Sequence, residues 1–230
     1  MQIKKINNTV FEKLNKKIIA CNKCSRLVKF RKKISSEKRK QYLNETYWGK
    51  PITGFGDQNG KILFVGLAPA AHGGTRTGRV FTGDKSSEFL YKCLFNANIS
   101  NQSKSEYRND GLKLKKAYIT TALKCVPPED KPKKSELDNC FSFFNSEITY
   151  LKNLKVIVAL GKIAFDACTY FYKSKYKLNE KINFGHNKIY KLPGNIFLVG
   201  CYHPSPRNVN TGRINEKKMT SLFKKVLKLA

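Results

Sequence analysis

Two apolar runs, each followed by a loop of unusual composition, limit what this chain can fold into more than anything else in it. Lys61–Val65 leads into Gly66-Leu67-Ala68-Pro69-Ala70-Ala71-His72-Gly73-Gly74, which continues through Arg76-Thr77-Gly78-Arg79-Val80-Phe81-Thr82-Gly83 to Asp84. Asn195–Val199 leads into His203-Pro204-Ser205-Pro206-Arg207-Asn208-Val209-Asn210-Thr211-Gly212-Arg213. A short, continuously apolar run bounded by turn residues reads as a strand buried on both faces, the kind found in parallel sheets. Ala117–Ala122 and Lys155–Gly161 have the same character, and helical patterns lie near 85–99, 135–151, 162–172 and 215–229. Strands alternating with helices predict an α/β fold: three layers, α/β/α, around a central four-stranded parallel sheet. Ligands of such sheets bind in the crevice outside the carboxyl ends of the strands. The two loops are therefore expected to face each other across one pocket.

Charge narrows the partner. The 230 residues carry 45 Lys and Arg against 16 Asp and Glu, a formal net of +29. Solubility asks for only about 2–8 in a small domain, and a larger excess repels itself. A polyanion, and specifically nucleic acid, is the expected partner. A lysine-rich proteome is the bland account, but thermophile proteins raise Glu along with Lys, and acids are scarce here. With 40% hydrophobic residues the chain can build one full core, so a single domain over 1–230 is expected. No run approaches the roughly 18 apolar residues of a membrane span, and no apolar stretch follows the first lysines as in a signal peptide. A soluble, cytoplasmic monomer is expected.

The first 55 residues or so stand apart from the α/β pattern. Residues 5–20 read as an amphipathic helix, and 25–40 are strongly basic, with Arg26, Lys29, Arg31, Lys32, Lys33, Lys38, Arg39 and Lys40. That stretch is expected to give non-specific DNA affinity, or else to be a solvated face. Among the seven cysteines, Cys93, Cys168 and Cys201 fall in core-like positions. The Cys21-x-x-Cys24 pair, Cys125 and Cys140 do not. Four thiolates from three separated places can close one site. Zinc and a 4Fe–4S cluster both suit four sulfur donors, and spacing does not choose between them. Either would clip the basic N-terminal segment onto the core.

The two glycine-containing loops, taken with these four cysteines, resemble the family-5 uracil-DNA glycosylases, the archaeal and bacterial branch that carries an iron–sulfur cluster. The resemblance runs from about Cys21 to Arg213. It rests on Gly66–Gly73, Arg76–Asp84, His203–Pro206 and Asn208–Arg213. Family-4 enzymes have Gly-Glu-Ala-Pro-Gly at the first motif; Leu67 and Ala70 stand at the Glu and final Gly positions here, which is the family-5 pattern.

The resemblance implies a DNA-repair hydrolase that flips uracil out of single- or double-stranded DNA and breaks its N-glycosidic bond, leaving an abasic site. It places a 4Fe–4S cluster on Cys21, Cys24, Cys125 and Cys140. With no acid at Leu67, Asp84 is expected to orient or activate water and to stabilise the cationic sugar; its structural alternative is a helix N-cap. His203 is expected to hydrogen-bond O2 of the departing base, and Asn208 to hold water or the sugar. Phe81 is expected to stack on the flipped base, with core packing as the alternative. His72, Gly66, Ala68 and Thr121 would complete the base pocket. Related enzymes often carry Asn near Thr121; a hydroxyl lacks the bidentate amide, so looser selection is expected, taking in deaminated purines such as hypoxanthine. Arg207 and Val209 are candidates to wedge the duplex. Gly73, Gly74, Ser205, Thr211, Gly212 and Arg213 would grip phosphates or the backbone around them. The competing reading is a non-catalytic iron–sulfur module that binds DNA. Other nucleotide-binding chemistry is disfavoured, because neither G-x-x-x-x-G-K-S/T nor G-x-G-x-x-G follows the first strand.

Overall fold

The structure is a computed structural model that describes residues 2–176 and 181–230. Two helices, α1 (Gln2–Ile19) and α2 (Ser25–Glu37), precede the sheet. The strands are β1 (Phe55–Gly56), β2 (Ile62–Gly66), β3 (Ala117–Thr121), β4 (Val156–Leu160), β5 (Ile189–Leu192) and β6 (Ile196–Cys201). Their spatial order is β1-β3-β2-β4-β6-β5. The expected parallel strands form the centre, and β1 and β5 add antiparallel edges. The sheet is thus mixed and six-stranded rather than four-stranded. Neither edge carries a continuous apolar run: β1 has two residues, and β5 is only half-buried.

Side chains alternate across the sheet as the period of two requires. Ile62 and Phe64 of β2 face a core completed by Leu90 and Leu94 of α4 (Lys85–Asn96) and by Met219 and Phe223 of α8 (Glu216–Leu229). Leu63 and Val65 face the opposite core, with Phe144 of α5 (Lys134–Tyr150) and Phe165 of α6 (Lys162–Tyr176). The α/β/α layering follows from that division. Phe11 of α1 packs against Tyr118 and Tyr150, ring centroids 5.4 and 5.9 Å apart, so the N-terminal helix belongs to the second layer. Among the described residues no helix is long and apolar enough to cross a membrane.

Part of the basic N-terminal stretch is internal. The Arg26 guanidinium donates two 2.7 Å hydrogen bonds to Glu136 of α5. Arg31, 5% exposed, donates to the Gly49 carbonyl and to Oδ1 of Asn22. These two cations brace α2 and are taken up by the protein, which leaves the exposed lysines of that helix to meet solvent or DNA. A second buried pair fixes the end of β3. Lys124 Nζ donates to Thr120 Oγ1 (2.7 Å), to the Thr121 carbonyl (2.8 Å) and to Glu147, and both charges are buried. Removing one partner of such a pair costs about 3–5 kcal/mol, because the other is left buried and unpaired.

The chain leaves β2 for β3 on one side and then returns past β2 to β4 on the other. Strand order reverses between β2 and β4, which opens a crevice at their carboxyl ends. Gly66 and Gly161 sit at those two ends, and the two long loops close over them.

Candidate active site

The first loop is held by its own arginines. After β2 it turns into the short helix α3 (Gly74–Thr77) and folds back through Gly78, Phe81 and Gly83, at φ +80°, +48° and +77°. Arg76, 7% exposed, donates from Nε to the His72 carbonyl (2.7 Å) and from Nη2 to the Gly83 carbonyl (2.9 Å), drawing the two ends of the loop together. Arg79 pairs with both carboxylate oxygens of Asp110 at 2.7 Å and donates to Thr82 Oγ1 and Ser105 Oγ. Both cations are braces, consumed by internal acceptors.

Asp84 is at once cap and cavity wall. Its Oδ1 accepts from Ser87 N–H at 2.9 Å, and its own N–H donates to Ser87 Oγ at 3.0 Å, which makes a reciprocal capping box at the start of α4. Its Oδ2 stands over Gly73, where any Cβ would collide with it. Burial pushes the Asp84 carboxyl up from its ordinary range, opposed by the N–H groups of Ser87 and Ser86.

The second loop carries His203 just beyond β6. Its Cβ lies against Gly161, where an added Cβ would be 3.4 Å away. Ser205 caps α7 (Pro206–Asn210), and Asn208 Nδ2 donates to the His203 carbonyl at 2.9 Å. Burial pulls the His203 imidazole down to about 4, so the ring is neutral at neutral pH. Phe81 is buried against Gly66, where a Cβ would meet its ring at 2.6 Å, and its centroid is 6.2 Å from that of His203.

These groups converge on a cavity of about 340 Å³. Leu67, Ala68, Pro69 and Ala70 form one wall; Phe81, Asp84, His203 and Ser205 form the other. Gly66 lies against the Phe81 ring and, one residue before Leu67, is not itself among the lining residues. Thr121, paired in register with Gly66, is buried behind it and is not among the lining residues. The Asn208 amide is directed to His203 rather than into the cavity. His72 lines an adjoining cavity of about 660 Å³, with Nδ1 2.9 Å from the Tyr47 hydroxyl; burial, then Arg39 and Arg76, lower its pKa. Arg207, Thr211, Gly212 and Arg213 are exposed on the outside of the second loop. Val209 lines a groove beside Phe89 and Lys85 of α4.

One acidic residue of the first cavity was not anticipated. Asp130 lines both cavities, as Asp84 does. It follows Pro127-Pro128 in a turn where Glu129 and Asp130 both have left-handed backbones, φ +54° and +55°. Such conformations cost of order 1–3 kcal/mol each and gather at functional sites. The Pro-Pro pair marks the end of regular structure, but no local pattern says where the next acid points.

The four singled-out cysteines come from three elements. Cys21 and Cys24 occupy the α1–α2 junction, Cys125 follows β3, and Cys140 lies within α5. All are free thiols, and Cys24, Cys125 and Cys140 share a small apolar cluster with Leu27 and Leu123. Burial raises Cys125 to about 12 and Cys140 to about 11, and the neighbouring thiols add to both shifts. Asn139 Nδ2 lies 3.4 Å from Cys24 Sγ. Among the described residues no three His, Cys, Asp or Glu side chains are placed to hold a single metal ion.

A sequence model of the Uracil DNA glycosylase superfamily matches residues 53–228, and so covers the sheet and both loops. A type-5 uracil-DNA glycosylase of Pyrobaculum aerophilum is 38% identical over 209 residues, 91% of this chain and 88% of the relative. One of Thermus thermophilus is 38% identical over 213 residues, 93% and 95% of the two chains. A type-4 uracil-DNA glycosylase of Thermotoga maritima is 29% identical over 165 residues, 71% and 73% of the two. With the Leu67 and Ala70 pattern at the end of β2, the chain belongs to the uracil DNA glycosylase superfamily and to its type-5 branch.

Proposed function

We propose that this chain excises uracil from DNA, with the base of one extrahelical nucleotide held in the 340 Å³ cavity. The convergence of Asp84, a neutral His203 and Phe81 at the sheet's switch point carries the reading. Flipping costs a few kcal/mol and least for a mispaired or single-stranded base, so U·G pairs and single strands are favoured substrates.

The chemistry follows from where charge develops. As the C1′–N1 bond breaks, its electron pair leaves on uracil and the sugar becomes cationic. His203 donates an N–H to uracil O2 as the anion forms; losing such a donor costs about 2.7–4 kcal/mol of barrier. Ionised Asp84 faces the sugar, accepts a proton from water as its oxygen bonds to C1′, and passes that proton on to the uracil anion. Phe81 stacks on the base. Asn208 acts by holding the His203 carbonyl, and so the ring. The Leu67–Ala70 wall has no polar side-chain atom, so backbone groups meet the base edge there. Together with Thr121 recessed behind Gly66, this supports a base range that includes hypoxanthine. Arg207, exposed on the second loop, would wedge the duplex with half-buried Val209 beneath the same loop, and Ser205, Thr211, Arg213 and the Gly73 amide would meet phosphates.

The donor set at Cys21, Cys24, Cys125 and Cys140 suits a 4Fe–4S cluster. The thiols of Cys21, Cys24 and Cys140 all act electrostatically on that of Cys125, so the four lie near one another. When bound, the cluster would cross-link the α1–α2 junction to β3 and α5. Iron content of anaerobically purified protein tests this, and stoichiometric zinc would overturn it.

For the activity, a uracil-containing oligonucleotide is incubated with the protein and treated with alkali. Strand breakage at uracil, lost in Asp84→Ala and His203→Ala, is expected. Binding without breakage would make the chain a DNA-binding module instead.

A further inference from the structure

We infer that the larger cavity beside the base site is a subsite for the nucleotide adjoining the extruded one on the same strand, with Tyr42 as the platform for its base and Arg39 at its phosphodiester. This rests on the glycosylase reading.

The two cavities are continuous. The adjoining one is about 660 Å³ against 340 Å³, and the two share Ala70, Asp84 and Asp130. A nucleotide whose base fills the first cavity has its sugar at that shared rim, and its strand must leave past it. The far wall is the turn Lys40–Tyr42, which supplies Gln41 and Tyr42, with Arg39 just before it.

Tyr42 is built as a platform. The Arg76 guanidinium lies over its ring, 3.8 Å from the centroid. Arg76 is itself immobilised by Glu45 and by the carbonyls of His72 and Gly83. The ring is thus fixed from behind while its residue lines the cavity. A base stacked on it would rest on the same brace that holds the loop ending in Asp84. Rigid aromatic rings combined with cations are how proteins hold single-stranded nucleic acid.

The charges give the subsite an orientation. Arg39 is exposed and has no ion pair among the described residues, whereas Lys85 is shared with Glu88. Asp84, Asp130 and Glu88 line the same cavity. Their charge repels a phosphodiester from that side and leaves the Arg39 side as its seat.

The test is single-turnover excision at increasing enzyme concentration, which separates apparent Kd from the maximal rate. Three uracil oligonucleotides are compared: unmodified, lacking the 5′-neighbouring base, and lacking the 3′-neighbouring base. Removing the base that occupies the subsite is expected to weaken binding by about five- to a hundredfold at an unchanged maximal rate, the range for one stacked base. Tyr42→Ala should weaken the unmodified substrate by the same factor, and the two losses should not add. Tyr42→Phe keeps the ring and should bind as wild type does. Arg39→Gln should lower the salt slope of binding by about 1. The inference is overturned if wild type is indifferent to both neighbouring bases, or if Tyr42→Ala costs the same factor on all three substrates. The wild-type series needs no variant, so misfolding of one leaves the test intact. Absence of any excision by wild type would instead defeat the glycosylase reading.

Discussion

Replacing Gly73 by alanine should damage a residue eleven positions away, and the structure gives the size of the effect. A Cβ on Gly73 overlaps Asp84 Oδ2 and stands 2.9 Å from Asp84 Cγ. An unrestrained carboxylate would swing aside at little cost. This one is tied by the 2.9 Å bond from Ser87 N–H, and losing an N-cap costs about 0.5–2 kcal/mol. The alternative is to shift residue 73, whose carbonyl already accepts from Arg76 and Thr77 N–H at 3.0 and 2.9 Å. Either relaxation moves the carboxylate by of order 1 Å relative to the cavity, enough to cost about a hundredfold in rate. Single-turnover excision of uracil should therefore slow about a hundredfold. The melting temperature should fall by about 2–4 °C for each kcal/mol of cap lost in a chain of this size. If the cause is displacement of Asp84, Gly73→Ala added to Asp84→Ala slows the reaction no further. A rate within twofold of wild type for Gly73→Ala, or multiplicative losses in the double variant, would refute the assignment.

Other predictions concern protons and base choice. Asp84 acts ionised and its pKa is raised, so excision should fail on acidification at a pH above the ordinary carboxylate range; a rate–pH profile of wild type beside Asp84→Asn checks this, and an unchanged acid limb in the variant assigns it elsewhere. The folded-state pKa of His203, about 4, lies below its unfolded value of 6.5, so the unfolded chain takes up the proton first and stability is lost as pH falls from about 6.5 to 4. The loss is about 3 kcal/mol at most by linkage, and denaturant melts at pH 4.5 and 7 should show a smaller difference for His203→Gln than for wild type. Thr121→Asn should raise the ratio of uracil to hypoxanthine excision by returning an amide to the end of β3, and an equal ratio would show that base choice is made elsewhere.

How much of this was legible in the sequence depends on whether a property is local. The central strands were, because burial on both faces leaves an unbroken apolar run in each, as in Val156–Leu160. The edge strands β1 and β5 were not, since two and four largely half-buried residues are too few to show a period. Asp84 as a cap and Asp84 as a catalytic group looked like rival readings of one residue. The structure lets both stand because a carboxylate has two oxygens: one accepts from Ser87, and the other stands over Gly73. Arg26 and Arg31 illustrate the opposite failure. A cation in a basic stretch reads as free surface charge, and only the tertiary partners Glu136, Gly49 and Asn22 show it to be engaged by the protein itself. Asn208 and Thr121 were placed near the right loops, but which way a side chain turns from its strand or helix is decided by packing.

The absence of an acid at Leu67 is better understood as a division of labour within the nucleotide site. The Leu67–Ala70 wall is apolar in its side chains, whereas Asp84 and Asp130 are the acids among the lining residues. In a chain with only 16 acids against 45 basic residues, two carboxylates lining one cavity run against the average field. Among phosphates they would weaken binding, and beside a cationic sugar they stabilise the transition state, so their position sets the direction in which the nucleotide must enter. In the proposed complex the base goes to the apolar wall and Phe81, the sugar to the acidic residues, and the phosphates outward to Arg39 and the basic surface. Asp130 is exposed and screened by water, whereas Asp84 is partly buried and keeps more of its field for the reacting carbon. Moving the acid from position 67 to the end of the loop therefore keeps the charge near C1′ while freeing the base wall of side-chain polarity. On the proposed mechanism, the same change that relaxes base selection leaves the electrostatics of bond cleavage in place.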